Sequence, residues 1–250
     1  SRYRGTLTWL PNFAFNFCAQ KIRDAQMDGV DLSSWRAVIN CSEPMHVQSF
    51  ERFAERFSAY GFRKEALATS YAMAENVFGV TQSAIGEPVR VDVVDADALQ
   101  TEGIARQADL SGGDQRRVMR MLSCGKPIPG TEVRVLGRDG EALPERHVGE
   151  LAIRSNCMLS GYYNRPDATA SAFAGGWYLT GDLGYMADGE VYVSGRKKDL
   201  IIVGGRNIFP QDIEALAGEV PGVHPGRVAA FGIYNEDLGT EEVALAAEVD

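Results

Sequence analysis

Between residues 35 and 71 the chain reads strand, helix, strand, and this succession limits the possible folds more than any other feature. Residues 35–40 (WRAVIN) form a short apolar run of the kind found in buried parallel strands. Phe50, Phe53, Ala54, Phe57 and Tyr60 then recur at helical spacing, with Glu51, Arg52, Glu55 and Arg56 between them. That pattern predicts an amphipathic helix ended by Gly61, its phenylalanine stripe packed in a core. Residues 66–71 (ALATSY) predict a second strand, running into Tyr71-Ala72-Met73-Ala74-Glu75. Such a βαβ unit collects ligands at the carboxyl ends of its strands.

The remainder divides by texture. Residues 89–94 alternate like a strand, but 86–120 as a whole are polar and predict an insertion with at most a small element of its own. Residues 131–136, 149–154 and 190–193 are strand-like and separated by turn signals such as Arg138-Asp139-Gly140 and Asp188-Gly189, predicting a β-rich subdomain. After Lys198 an apolar run at 200–203 is broken by Gly204-Gly205, and Pro210 opens a helix. Asp212 and Glu214 in its first turns suit the positive helix end. Two further strands are predicted at 228–233 and 243–249. The fold class is therefore α/β.

Composition excludes some functions. A formal net charge of -9 argues against a nucleic-acid surface, which needs a local excess of Lys and Arg. It leaves ATP open, because nucleotides are held by a few residues and backbone amides. Cys18, Cys41, Cys124 and Cys157 form no CxxC or Cys/His cluster, so they read as thiols of a reducing compartment. No apolar run approaches the ~20 residues of a membrane span, and no signal-peptide stretch opens the chain. The expected location is cytoplasmic. The first residue is Ser1 rather than Met, which suggests a start inside a longer protein.

Four stretches carry chemistry. Asp182, read as part of a glycine-flanked turn in Thr180-Gly181-Asp182, could accept from both hydroxyls of a ribose, or simply cap the turn. Arg196, in Gly195-Arg196-Lys197-Lys198-Asp199, could donate to ribose or phosphate oxygens, or belong to a solvated hinge. Tyr71 offers a ring for adenine and Glu75 a carboxylate for magnesium; a buried Tyr with a surface Glu is the plainer alternative. Ser42, Glu43 and Pro44 form a turn after a strand, where backbone groups could face a base edge.

Taken in order, these stretches resemble the adenylate-forming (acyl-activating, AMP-binding) superfamily, which includes acyl-CoA synthetases and fatty acyl-AMP ligases. Leu10-Pro11-Asn12-Phe13 resembles a substrate-side motif, with Ala14 where many members carry His. Residues 71–75 resemble the aromatic-small-x-Thr-Glu motif, with Ala74 where Thr or Ser is usual. Residues 149–151 and 161–166, followed by Thr169 and Phe173, resemble the long central motif. Thr180-Gly181-Asp182 and residues 195–199 resemble the ribose and hinge motifs, and residues 205–214 resemble the loop that opens a small C-terminal domain.

The resemblance implies a definite layout. Residues 1–198 would be the C-terminal portion of a large N-terminal domain combining α/β subdomains with a β-barrel. Residues 199–250 would begin a small, mobile α+β domain, with Asp199 as the hinge. It implies ATP and Mg as cofactors. Tyr71 would stack on adenine beside the Ser42-Glu43-Pro44 turn, Glu75 would hold magnesium, Asp182 and Arg196 would bind ribose, and Val193 would line the nucleotide site. The reaction implied is activation of a carboxylic acid, fatty or otherwise apolar, as acyl-AMP. The acyl group would pass to a carrier-protein phosphopantetheine, or alternatively to free coenzyme A. The family's phosphate loop would precede Ser1 and its acyl-contacting lysine would follow Asp250, so the segment alone is expected to be inactive. A non-catalytic nucleotide-binding relative is the rival. Phe13, Phe17 and Ala72 either border an acyl pocket or belong to the core.

Overall fold

The computed structural model describes residues 3–110 and 118–249. Its first sheet begins with three parallel strands, β1 (Leu7–Leu10), β2 (Ala37–Asn40) and β3 (Leu67–Ala72). Helices α1 (Asn12–Lys21) and α2 (Val47–Ser58) follow β1 and β2, as the βαβ pattern requires. All four residues of β2 are buried, which explains its unbroken apolar run. The aromatic stripe of α2 is core: Phe53 lies 5.1 Å from Phe15, 4.6 Å from Phe57 and 5.1 Å from Phe62, ring centre to ring centre.

β4 (Gly79–Gln82) returns antiparallel to β3, giving the order β1-β2-β3-β4-β7 with β7 (Lys126–Pro127) at the edge. The intervening segment is more ordered than its polarity predicts. β5 (Val91–Asp95) and β6 (Val118–Leu122) form an antiparallel ribbon, with a single π-helical turn at Ala98–Glu102; residues 111–117 of the predicted insertion lie outside the described residues. Val94, Leu99 and Ala105 are buried against Tyr185, Ala187 and Tyr192. Asp92 is buried and accepts from Arg146 and from the Tyr185 hydroxyl, each at 3.0 Å. A buried carboxylate is tolerable only when paired in this way, so its polarity marks an interface rather than a loose loop.

The second sheet is antiparallel. β8 (Thr131–Leu136) pairs with β9 (Gly149–Ser155), β9 with β11 (Trp177–Ala187), and β11 with both β10 (Phe173–Ala174) and β12 (Glu190–Arg196). The short helix α3 (Pro166–Ala172) precedes β10. The region around Asp182, predicted as a turn, is instead the interior of β11. Gly181 has φ +72° and its register against β9 shifts between Leu179 and Leu183, so the glycines mark a bulge and not a chain reversal.

Residues 123–125 join the two sheets. The Cys124 amide donates to Val191 O (2.8 Å) and the Val191 amide to Gly125 O (3.0 Å). Thr69 and Thr81 hydroxyls donate to the carbonyls of Ser123 and Cys124, both at 2.6 Å. Gly125 has φ +87°, and a Cβ there would sit 2.0 Å from the Gln82 carbonyl carbon, so no side chain fits.

The last part is a small hairpin, β13 (Ile201–Val203) with β14 (Arg206–Ile208), then helix α4 (Pro210–Ala217) with Pro at its start, then the pair β15 (Val223–Asn235) and β16 (Thr240–Val249). The acidic residues of α4 do more than face a helix end. The Glu214 carboxylate accepts from the Ala230 amide of β15 (2.9 Å). Asp212 buries one carboxylate oxygen with no partner, and that burial pushes its pKa up to about 6, the reverse of what the helix end alone would do.

Candidate functional site

β3 delivers Tyr71 and, just beyond its carboxyl end, a short 3-10 turn at Ala74–Asn76 that carries Glu75. The stitch at residues 123–125 sets this end of the first sheet against β11 and β12 of the second. Asp182 and Arg196 are cross-strand partners in the β11–β12 ladder. The result is a junction where the Tyr71 hydroxyl donates to Asp182 Oδ2 at 2.5 Å and Arg196 Nε approaches Asp182 Oδ1 at 3.2 Å.

Asp182 is buried while Arg196 is largely exposed. Burial raises the Asp182 pKa, opposed by the Tyr71 hydrogen bond and by the Arg196 charge. Burial, followed by the Asp182 charge, raises that of Tyr71, so its hydroxyl remains a donor. Each Asp182 oxygen has two lone pairs and spends one, which leaves room to accept from a neighbouring diol. A lattice of backbone contacts fixes the carboxylate: the Asp182 amide donates to Thr180 Oγ1 (3.0 Å), and the Gly181 amide to Glu150 Oε1 (3.1 Å). Lys197 closes the set, its Nζ 2.8 Å from Glu150 Oε2.

Glu75 lies in the turn that follows β3. Its Oε1 accepts from the Tyr162 hydroxyl at 3.0 Å, and that hydroxyl is 2.9 Å from the hydroxyl of Tyr178. Among the described residues no group of three or more His, Cys, Asp or Glu side chains could hold a metal ion. Glu75 offers a single carboxylate there, and a lone carboxylate would fit magnesium only where substrate phosphate oxygens complete its shell.

The other expected residues occupy mixed positions. Ser42 (φ +77°) and Pro44 are exposed in the turn after β2, beside the carboxyl end of β3. The Glu43 carboxylate accepts from the Phe13 amide, so it serves the first turn of α1. Ala74 is exposed at the start of the 3-10 turn, and Val193 packs on the same apolar cluster as Tyr71. Asp199 is exposed, with its amide donating to Arg196 O (3.1 Å) in the turn that leaves β12. Phe13 and Phe17 are exposed on α1 and lie outside the core of the described residues, and Ala72 is half-buried. Four groups that organise the site received no role from sequence: Glu150, Tyr162, Tyr178 and Thr180. Tyr162 stands next to Tyr163, which is 91% exposed, and nothing in the pair's spacing tells which one turns inward.

The chain as a whole is similar to known proteins. Residues 1–163 match the family model described as AMP-binding enzyme. The whole chain is 35% identical over 262 aligned residues to the medium-chain-fatty-acid–[acyl-carrier-protein] ligase JamA of Moorena producens (strain JHB), covering 43% of that protein. Among solved structures, one from a study of fatty acyl-adenylate ligases from E. coli and L. pneumophila matches all of the chain at TM-score 0.91 and 34% identity, over 44% of its own length. The L. pneumophila fatty acyl-adenylate ligase in complex with acyl adenylate and pyrophosphate matches 99% of the chain at TM-score 0.75 and 34% identity, again over 44% of its own length. The chain thus spans less than half of each of these relatives.

Proposed function

The chain belongs to the AMP-binding enzyme family, and from that premise we propose that it forms the nucleotide-holding part of a ligase that activates an apolar carboxylic acid as acyl-AMP. The observation that carries this reading is the meeting of Tyr71, Asp182 and Arg196 at the carboxyl end of a parallel strand. In the proposed reaction the substrate carboxylate oxygen bonds to the α-phosphorus of ATP while the bond to pyrophosphate breaks. Asp182 accepts the two ribose hydroxyls with its remaining lone pairs, and Arg196 holds the carboxylate ionised and donates outward to the sugar. The ring of Tyr71 lies against adenine while its hydroxyl keeps Asp182 in place. Glu75 offers a carboxylate to magnesium bound with the triphosphate, which supplies charge neutralisation there. Val193 borders the nucleotide, and the turn at Ser42-Glu43-Pro44 presents backbone groups to the base. No step is assigned to Glu43's side chain, already spent on α1.

The acceptor we propose is a carrier-protein phosphopantetheine, the first alternative being free coenzyme A. The similarity to JamA, itself named an acyl-carrier-protein ligase, supports the choice. So does a contact between the predicted insertion and the last part of the chain, where Arg206 of β14 donates to Asp97 at 3.3 Å beside the π-helical turn. With Asp199 as the hinge, such a contact would restrain rotation of residues 199–250.

The direct test is Asp182→Asn in the full-length protein, with AMP affinity measured by calorimetry. Losing hydrogen bonds made by a charged group costs about 1.5–3 kcal/mol, a weakening of roughly 10- to 100-fold. Unchanged affinity would overturn the ribose assignment.

A further inference from the structure

Glu75 stands on a turn the backbone does not adopt willingly. Val77, two residues on, has φ +62° and ψ -51°, a combination rare for a β-branched residue. The Phe78 amide donates across it to Asn76 O at 2.6 Å, closing a three-residue γ-turn of the strained hand. Strain of this kind persists only where surrounding contacts over-determine the conformation. Three hydrogen bonds anchor it: the Leu159 amide donates to Glu75 O at 2.7 Å, Asn76 Nδ2 donates to Gly79 O at 2.7 Å, and Ser155 Oγ donates to Asn76 Oδ1.

One anchor reaches the carboxylate itself. Each tyrosine hydroxyl has a single proton. If Tyr162 spends its own on Glu75 Oε1, its oxygen must accept from Tyr178, which gives a directed chain Tyr178 to Tyr162 to Glu75. Tyr178 is fixed in β11, paired with Ile153 of β9 and with its ring edge-on to Phe173 at 5.4 Å. The Tyr162 amide is held by Thr169 Oγ1 at 2.9 Å. The chain therefore runs from the rigid second sheet to one oxygen of a carboxylate on the first.

Resting on the adenylate-forming reading above, we propose that Tyr162, oriented by Tyr178, is a positioning residue for magnesium: it occupies Glu75 Oε1 and thereby aims Oε2 at the ion that accompanies the triphosphate. Partners that orient a metal ligand are typically worth 10- to 100-fold in metal affinity or activity.

The test uses the full-length protein with Mn²⁺ as a spectroscopic substitute for magnesium, free Mn²⁺ being read by electron paramagnetic resonance in the presence of α,β-methylene-ATP. Tyr162→Phe should weaken Mn²⁺ roughly 10-fold, leave metal-free AMP affinity within about two-fold, and have no further effect in a Glu75→Gln background. Tyr178→Phe should act in the same direction and more weakly. Thermal melting of each variant confirms that it is folded. Unchanged Mn²⁺ affinity in Tyr162→Phe overturns the inference, and so does an equal loss of AMP affinity, which would mark a merely structural role. Failure of the underlying reading looks different: a parent protein that binds neither AMP nor the analogue overturns both.

Discussion

At the scale of single residues, Asp212 gives the clearest physical consequence outside the site. Its pKa rises from the ordinary 3.8 to about 6 because α4 carries the carboxyl into the interior. The folded chain then holds this proton to higher pH than the unfolded chain does. Between about pH 4 and pH 6 the native state binds more protons, so stability falls as pH rises through that window. A shift of this size corresponds to a penalty on the order of 1–3 kcal/mol once the carboxyl is ionised. Asp212→Asn keeps the shape and removes the titration. Urea denaturation should show the variant more stable than the parent at pH 7, with the difference shrinking to near zero at pH 4. A difference that is flat across that range would show that Asp212 is solvated in solution. Sequence placed Asp212 correctly in the first turn of a helix; what it could not reveal is which side of that turn faces inward.

At the scale of elements, α2 shows how much of the fold is legible in the sequence. The stripe Phe50, Phe53, Phe57 is periodic and continuous, and every member is buried. Phe53 touches three other phenylalanine rings. Phe53→Ala should cost about 3–5 kcal/mol by chemical denaturation, whereas Phe13→Ala on the open face of α1 should stay within about 0.5 kcal/mol. Equal effects would mean that the stripe is not the core. β2, β3, α2, α4 and the β15–β16 pair were readable from run length, period and Pro or Gly punctuation, whereas β1, α1, β4 and α3 were not read from the sequence. Two further features were masked. β11 was masked by Gly181 and Gly184, which read as a turn although they serve a bulge within an 11-residue strand. β5 alternates visibly, but its pairing with β6 was masked by the polarity of the segment, because Asp92 looks like loop composition until its partners Arg146 and Tyr185 are seen, and they lie 54 and 93 residues away. The site shows the same division. Tyr71, Glu75, Asp182 and Arg196 stood out through motif resemblance, but the tyrosines supporting Glu75 come from distant elements and left no local signal.

At the scale of the whole molecule, the hydrogen bonds at the junction of the two sheets join residues distant in sequence. β8 and β9 form a local antiparallel pair, while Val191 accepts from the Cys124 amide and donates to Gly125 O across the stitch, and Tyr71 meets Asp182 at a separation of 111 residues. Closing a long loop costs entropy before its contacts return anything, and chains rich in such contacts fold slowly. The junction should therefore be the last part of the chain to form. Pulse-labelled hydrogen exchange during refolding should show the amides of β8 and β9 protected before those of Cys124 and Val191; simultaneous protection would make the two sheets one cooperative unit. For much of its refolding, then, the chain would already possess Tyr71 on one finished sheet and Asp182 on another, and still have no place for a ribose.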